Sequence, residues 1–146
     1  MNKVKFAAIV APVILLVACS HDANTLDDAL DGKSGTVTVD LAEAYPSAKS
    51  LFVVCTSDDA AVSDVFGRDV LDEPEDDENW MIQQRFDSAI LAETYKRDEV
   101  DLCGDNHDEI REVTKEELDF EHREGTWTLV GERGVDVEDL TRIPVE

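Results

Sequence analysis

Leu51-Phe52-Val53-Val54-Cys55-Thr56-Ser57-Asp58-Asp59-Ala60-Ala61-Val62-Ser63-Asp64-Val65-Phe66-Gly67 reads as a strand that turns directly into a helix. The unbroken apolar run from Leu51 to Cys55 contains β-branched residues and predicts a central strand covered on both faces. Thr56, Ser57, Asp58 and Asp59 follow at once, with hydroxyls suited to capping a helix start and carboxylates that favour its positive end. Ala61, Val62, Val65 and Phe66 recur at helical spacing, and Gly67 can close the helix in the left-handed conformation. A strand-to-helix turn can also bind anions, but Asp58 and Asp59 already occupy that positive field, which argues against phosphate.

Upstream, Thr36-Val37-Thr38-Val39-Asp40-Leu41 alternates polar and apolar residues in the manner of a half-buried strand. Asp40 is placed to cap a short helical turn through Tyr45, which Pro46 would end. Downstream, the segment from Val70 to Asn79 includes Asp72, Glu73, Glu75, Asp76, Asp77 and Glu78; such a charge run predicts an exposed loop. Ser88 to Tyr95 alternates, and the polar turn Lys96-Arg97-Asp98-Glu99 leads into Val100-Asp101-Leu102-Cys103, so these segments are expected to pair as a hairpin. Thr114-Lys115-Glu116-Glu117 has capping-box spacing and predicts one helical turn. Leu118, Phe120 and His122 then alternate with Asp119, Glu121 and Arg123, and Thr126 to Val130 follows Gly125, predicting a second hairpin. Residues 131–146 show no strong period, and Pro144 argues against a long terminal helix. Together these elements predict an α+β domain in which a small, mostly antiparallel sheet packs one main helix.

The N-terminus reads as an address. Lys3 and Lys5 precede an uncharged apolar run from Phe6 to Ala18, which is too short for the roughly 17–25 residues of a membrane-spanning helix. It closes on Leu16-Val17-Ala18-Cys19, which resembles the lipobox of bacterial lipoproteins. That resemblance implies cleavage before Cys19, diacylglycerol on its thiol and an extracytoplasmic, lipid-anchored location. Ser20 rather than Asp after the cysteine implies the outer membrane if the host has two membranes. Two or more acyl chains anchor stably, so the protein is expected to be held by the membrane without crossing it. The resulting division is residues 1–18 as signal peptide, 19–35 as a flexible acidic tether rich in Asp and Gly, and 36–146 as a single domain.

Removing the signal peptide from the 146 residues takes away two of the 13 basic side chains, leaving 11 against 35 acidic ones and a formal charge of −24. Such a chain is repelled by nucleic acid and by anionic lipid headgroups, since binding either requires a basic surface, and nucleic acid is excluded as a partner. The charge suits a solvated surface that resists aggregation, and a basic protein is the partner it would favour. With Cys19 assigned to lipid, Cys55 and Cys103 remain as a pair in an oxidising compartment, where a disulfide is expected. A thiol metal site with His107 or His122 is the competing reading, and it lacks paired Cys-x-x-Cys spacing.

Catalytic motifs are not found: there is no Gly-x-Ser-x-Gly elbow, Ser-x-x-Lys, His-Glu-x-x-His or phosphate loop. Asp101 to Glu112 has acids at some calcium-loop positions, but Cys103 and Asn106 stand where an oxygen ligand and a glycine are required. His107 beside Asp105 and Asp108 reads as a solvated loop residue, His122 as a core or hairpin residue, and His21 as part of the tether. No metal, cofactor or catalytic residue is therefore assigned.

Leu51 to Cys55, Thr56 to Gly67 and Asp101-Leu102-Cys103-Gly104 resemble features of small uncharacterised actinobacterial secreted lipoproteins. The resemblance implies a compact α+β domain with the disulfide and carries no activity. The expectation for function is a cell-envelope lipoprotein acting as a non-enzymatic binding or accessory module. The alternatives are an envelope hydrolase with an Asp/Glu-based site and a weak divalent-cation binder using Asp72 to Glu78.

Overall fold

The computed structural model describes residues 25–136, which form helices α1 (Thr25–Leu30), α2 (Leu41–Ala44) and α3 (Asp59–Phe66). The strands are β1 (Thr36–Asp40), β2 (Ala48–Val54), β3 (Glu78–Arg85), β4 (Ile90–Lys96), β5 (Val100–Asp101), β6 (Ile110–Val113), β7 (Lys115–Arg123) and β8 (Thr126–Asp136). The signal peptide, the lipobox with Cys19, His21 and Pro144 lie outside the described residues.

The strands divide between two four-stranded sheets, β1-β7-β8-β5 and β4-β3-β2-β6. Every pairing is antiparallel except β5 with β8. The α+β class, the mostly antiparallel pairing and the disulfide are as expected from the sequence. Strand β2 is interior, flanked by β3 and β6, and its period of two sends side chains to opposite faces. Leu51 and Val53 enter a core shared with Leu118 and Phe120 of β7 and Trp127 of β8. Val54, with Phe52 packed behind it, joins Val62, Leu71, Trp80 and Ile82 on the other face. The layers are thus sheet, sheet and helix α3, with β2 in the middle.

Asp58, one residue beyond the hydroxyls favoured as caps, caps α3 by accepting from the Ala61 amide, and Gly67 closes it in the left-handed conformation at φ 72°. Phe66 meets Phe52 edge-on at 5.0 Å between ring centroids, whereas Val65 is exposed. Asp40 caps α2 as predicted, accepting from Glu43 N at 2.9 Å. The β7–β8 hairpin also forms. Its two-residue turn uses positive φ at Glu124 (52°) and Gly125 (85°), the backbone that matches strand twist in tight hairpins.

Four expectations are corrected. The tether read over 19–35 does not hold from Thr25 onward: α1 buries Leu26 and Leu30 in the main core, because two leucines four residues apart make a small apolar face. The 88–95 segment pairs with β3, in register Gln84↔Ile90 to Glu78↔Lys96, and not with 100–103. The deciding turn is Phe86 to Ala89, where Arg85 N bonds Ala89 O at 2.8 Å and Ser88 N bonds Arg85 O at 3.1 Å. Segment 114–117 makes no helical turn; residues 115–117 belong to β7, which pairs with β1 on one side and β8 on the other, so ladder bonds on both sides override a local cap. The strand β8 extends to Asp136, past the Val130 end given by alternation, with register shifts after which Gly131, Glu132 and Arg133 still pair with β7.

Candidate functional site

Two groups of polar side chains stand out. The first surrounds the C-terminal ends of β2 and β4. Cys55 directly follows β2, and the loop after β5 brings Cys103 to it with Cα atoms 5.8 Å apart and the sulfurs bonded. Beside the disulfide is an open cleft of about 460 Å³ lined by Thr56, Ser57, Asp58, Asp76, Arg97, His107 and Asp108. That size falls within the range of ligand clefts. Arg97 is its organiser. Its guanidinium donates to Glu78 O (3.2 Å), Cys55 O (2.7 Å) and Asn106 O (3.3 Å), joining three chain segments. It also contacts His107 Nδ1 at 3.1 Å; since arginine only donates, Nδ1 accepts and the ring proton sits on Nε2.

The carboxylates at the rim are partly committed. Asp58 caps α3, and Asp76 accepts from the Ser57 hydroxyl. A cleft with an arginine tied to carbonyls and three carboxylates around it suits a ligand that presents a cationic group. His107 is drawn to Arg97 and not to an orienting carboxylate, so it lacks the partner a general base uses.

The acidic run next to the cleft is organised around a protein cation. Lys96 Nζ lies 2.6 Å from Glu75, 3.2 Å from Asp77 and 3.2 Å from Glu78, and these hydrogen bonds, led by Glu75, raise the Lys96 pKa. The exposed loop predicted over 70–79 is therefore shorter than expected. Leu71 is buried, Glu78 opens β3, and Asn79 is fully buried. Asn79 donates to Tyr95 O (3.0 Å) and Val100 O (2.9 Å) and accepts from Leu102 N (2.6 Å), which stitches β3 to the β4–β5 crossing.

The second group pins α1. One Glu93 oxygen accepts from Thr25 N (3.0 Å) and Thr25 Oγ1 (2.6 Å), and the other from Tyr45 OH (2.8 Å) and Tyr95 OH (2.7 Å). Tyr95 OH in turn accepts from Leu26 N at 3.0 Å. Burial, followed by the Glu93 charge, holds the Tyr45 hydroxyl well above its ordinary pKa. Burial, then Tyr45 and Glu93, does the same to Tyr95.

Of the residues singled out in the sequence, Cys55 and Cys103 are brought together and Cys19 lies outside the described residues. His122 is exposed at the end of β7 and packs on Trp127 with 4.7 Å between ring centroids. In the rejected calcium loop, Asp101 Oδ1 accepts from the amides of Cys103 and Gly104, both at 3.0 Å. Among the described residues no group of three or more His, Cys, Asp or Glu is arranged to hold a metal ion. None of their helices is long and apolar enough to cross a membrane. Arg97 and Glu93 escaped the sequence reading: one looked like a turn residue, the other like an ordinary strand carboxylate. No family model, curated protein or solved structure matches the chain.

Proposed function

We propose that the protein is a lipid-anchored lipoprotein of the cell envelope whose domain is a non-enzymatic module binding a basic partner. The observation that carries this reading is the acid-rimmed cleft beside the disulfide, lined by Asp58, Asp76 and Asp108. The Cys55–Cys103 bond supports the exported location, because such bonds persist in oxidising compartments. The lipobox supports the anchor, and the mature charge of −24 supports a cationic partner. With α1 packed on the domain, only the stretch from Cys19 to Thr25 separates lipid from fold, a reach of about 20 Å at full extension.

The anchor is tested by metabolic lipid labelling, which Cys19→Ala should abolish together with normal processing; labelling that persists would refute it. The cleft is tested by pull-down from envelope extracts. Wild type should recover a basic protein whose association slows as screening shortens to about 10 Å and below. Asp76→Asn with Asp108→Asn should weaken that recovery. Unchanged recovery and rate in the double variant would remove the cleft from the reading.

A further inference from the structure

Among the described residues, β1 stands at the open edge of its sheet, with β7 on one side and no strand on the other. Its ladder fixes which groups that edge offers. His122 N donates to Gly35 O at 2.8 Å, one step before Thr36 meets Glu121. Main-chain groups alternate in direction along an antiparallel strand, so Gly35, Val37 and Val39 turn theirs toward β7. Thr36 and Thr38 therefore each turn an N–H and a C=O away from the sheet. The devices that ordinarily shield such an edge are missing from β1: Thr36-Val37-Thr38-Val39-Asp40 has no lysine or proline, and its register runs without a bulge.

A groove lies along this edge. An open trough of about 500 Å³ is bounded by Thr38, Val39 and Asp40 of β1, by α1 and by α2, and that size falls within the range of ligand clefts. Helix α1 lines it with Thr25, Asp28 and Ala29, which share one helix face, while Leu26 and Leu30 enter the core. Ala29, Val39 and Ala44 form the apolar part of the lining, and the two alanines leave room above it. The charge there is one-sided: Asp28, Asp40 and Glu43 face Lys33 alone. Among the described residues Asp28, Glu43 and Lys33 enter no ion pair, so the excess of carboxylate is not answered from within the domain.

A row of outward main-chain donors and acceptors beside a small-residue floor matches an extended segment added as a further strand, and the carboxylate excess selects a basic one. We propose that the groove between α1 and β1 takes a short, extended, basic segment of a partner protein, paired to the edge at Thr36 and Thr38. Small or β-branched side chains of that segment lie on Ala29, Val39 and Ala44, and its cations lie by Asp28 and Glu43. The groove shares no residue with the cleft beside the disulfide, so either can fail without the other.

The test uses the full lipidated chain, isotope-labelled in nitrogen and held in neutral detergent micelles, with acetyl-Lys-Val-Lys-Val-Lys-amide as the probe. The amide hydrogens of Thr36 and Thr38 should exchange severalfold more slowly with peptide, and the Ala29 and Ala44 resonances should shift. Asp28→Asn with Glu43→Gln changes two exposed residues and should weaken binding about five- to tenfold. The same peptide with Glu in place of Lys should not bind. Two further peptides, N-methylated at both valines or at all three lysines, keep every charge; one should bind and the other not, since only one edge of the added strand meets β1. Equal binding of the two, or binding without slower exchange at Thr36 and Thr38, means attraction by charge alone and overturns the proposal. So does an absence of binding at about 1 mM peptide. Shifts centred on His107 that Asp76→Asn with Asp108→Asn removes would put the peptide in the disulfide cleft, overturning the groove and leaving the cleft reading in place. Slower exchange at Thr36 and Thr38 that follows protein concentration without peptide assigns the edge to a second copy and likewise overturns the proposal.

Discussion

Asn79 shows how much one side chain can fix. Fully buried, it uses both amide hydrogens and its oxygen on three backbone groups from different segments. Asn79→Ala would leave two carbonyls and one amide without their partner, each costing about 1–3 kcal/mol. We expect a loss of several kcal/mol in urea unfolding, and a loss below about 1 kcal/mol would mean that water replaces the amide. The chain's two tyrosines both meet Glu93, and both have pKa values raised above the ordinary 10. In the unfolded chain they ionise near 10, so above that pH the unfolded state gives up protons that the folded state keeps. Their contribution to stability is thus complete below about pH 10 and declines as the pH rises beyond it toward the folded values. Tyrosinate absorbance should accordingly lag past pH 10 and emerge with unfolding, and Tyr45→Phe should flatten the alkaline fall in Tm. Free titration of both hydroxyls near pH 10 in folded protein would contradict the cluster. At Lys96 the effect is one of screening: Lys96→Gln frees Glu75, Asp77 and Glu78 to repel one another, so Tm should drop at low salt and recover in about 1 M salt. A deficit that persists at high salt would point to lost packing instead.

Among the elements, α1 and the disulfide invite the clearest measurements. Leu26 is fully buried, and Leu26→Ala should cost about 2–5 kcal/mol; a much smaller value would show α1 to be dispensable. Removing the bond between Cys55 and Cys103, 48 residues apart, by a double change to Ala should cost about 4 kcal/mol in the chain-entropy picture. The strands β2 and β7, the capped helices and the β7–β8 turn were legible because each carries its own local signal: an unbroken apolar run, an Asp cap, a glycine closing a turn. Strand β3 was not, since Glu78 continues the acidic run into it and Trp80, Met81 and Ile82 are buried on both faces, which erases alternation. Helix α1 hid behind four polar or small residues, its signal reduced to two leucines. In the cleft, Asp58 and His107 could be weighed singly, but Arg97 gains its role from carbonyls at Cys55, Glu78 and Asn106 that only the fold assembles.

On the scale of the whole molecule, the central sheet has two unlike ends. The C-terminal ends of β2 and β4 carry the cleft with Asp58, Asp76 and Asp108 and the Lys96 carboxylates; the other end carries Lys49, Arg68 and Arg85 beside Asp69 and Asp87, with Phe86 exposed at the turn. The β1-β7-β8-β5 sheet closes the remaining side with a polar outer face. There Arg133 grips both Asp119 oxygens at 2.7 Å, and the guanidinium lowers the Asp119 pKa. Stability from that pair is present above the ordinary carboxylate pKa and is lost as the pH falls below it, with solvent screening keeping it small. The pinning of Thr25 by Glu93 has a mechanical side. Tension on the N-terminus enters the domain at one residue and meets the few hydrogen bonds converging on a single carboxylate before it reaches the seven-pair ladder between β4 and β3. Once these bonds and the burial of Leu26 and Leu30 give way, α1 peels and lengthens the connection while both sheets and the disulfide-bound cleft stay folded. The domain would then yield to a pull by paying out chain, with the cleft beside the disulfide still intact.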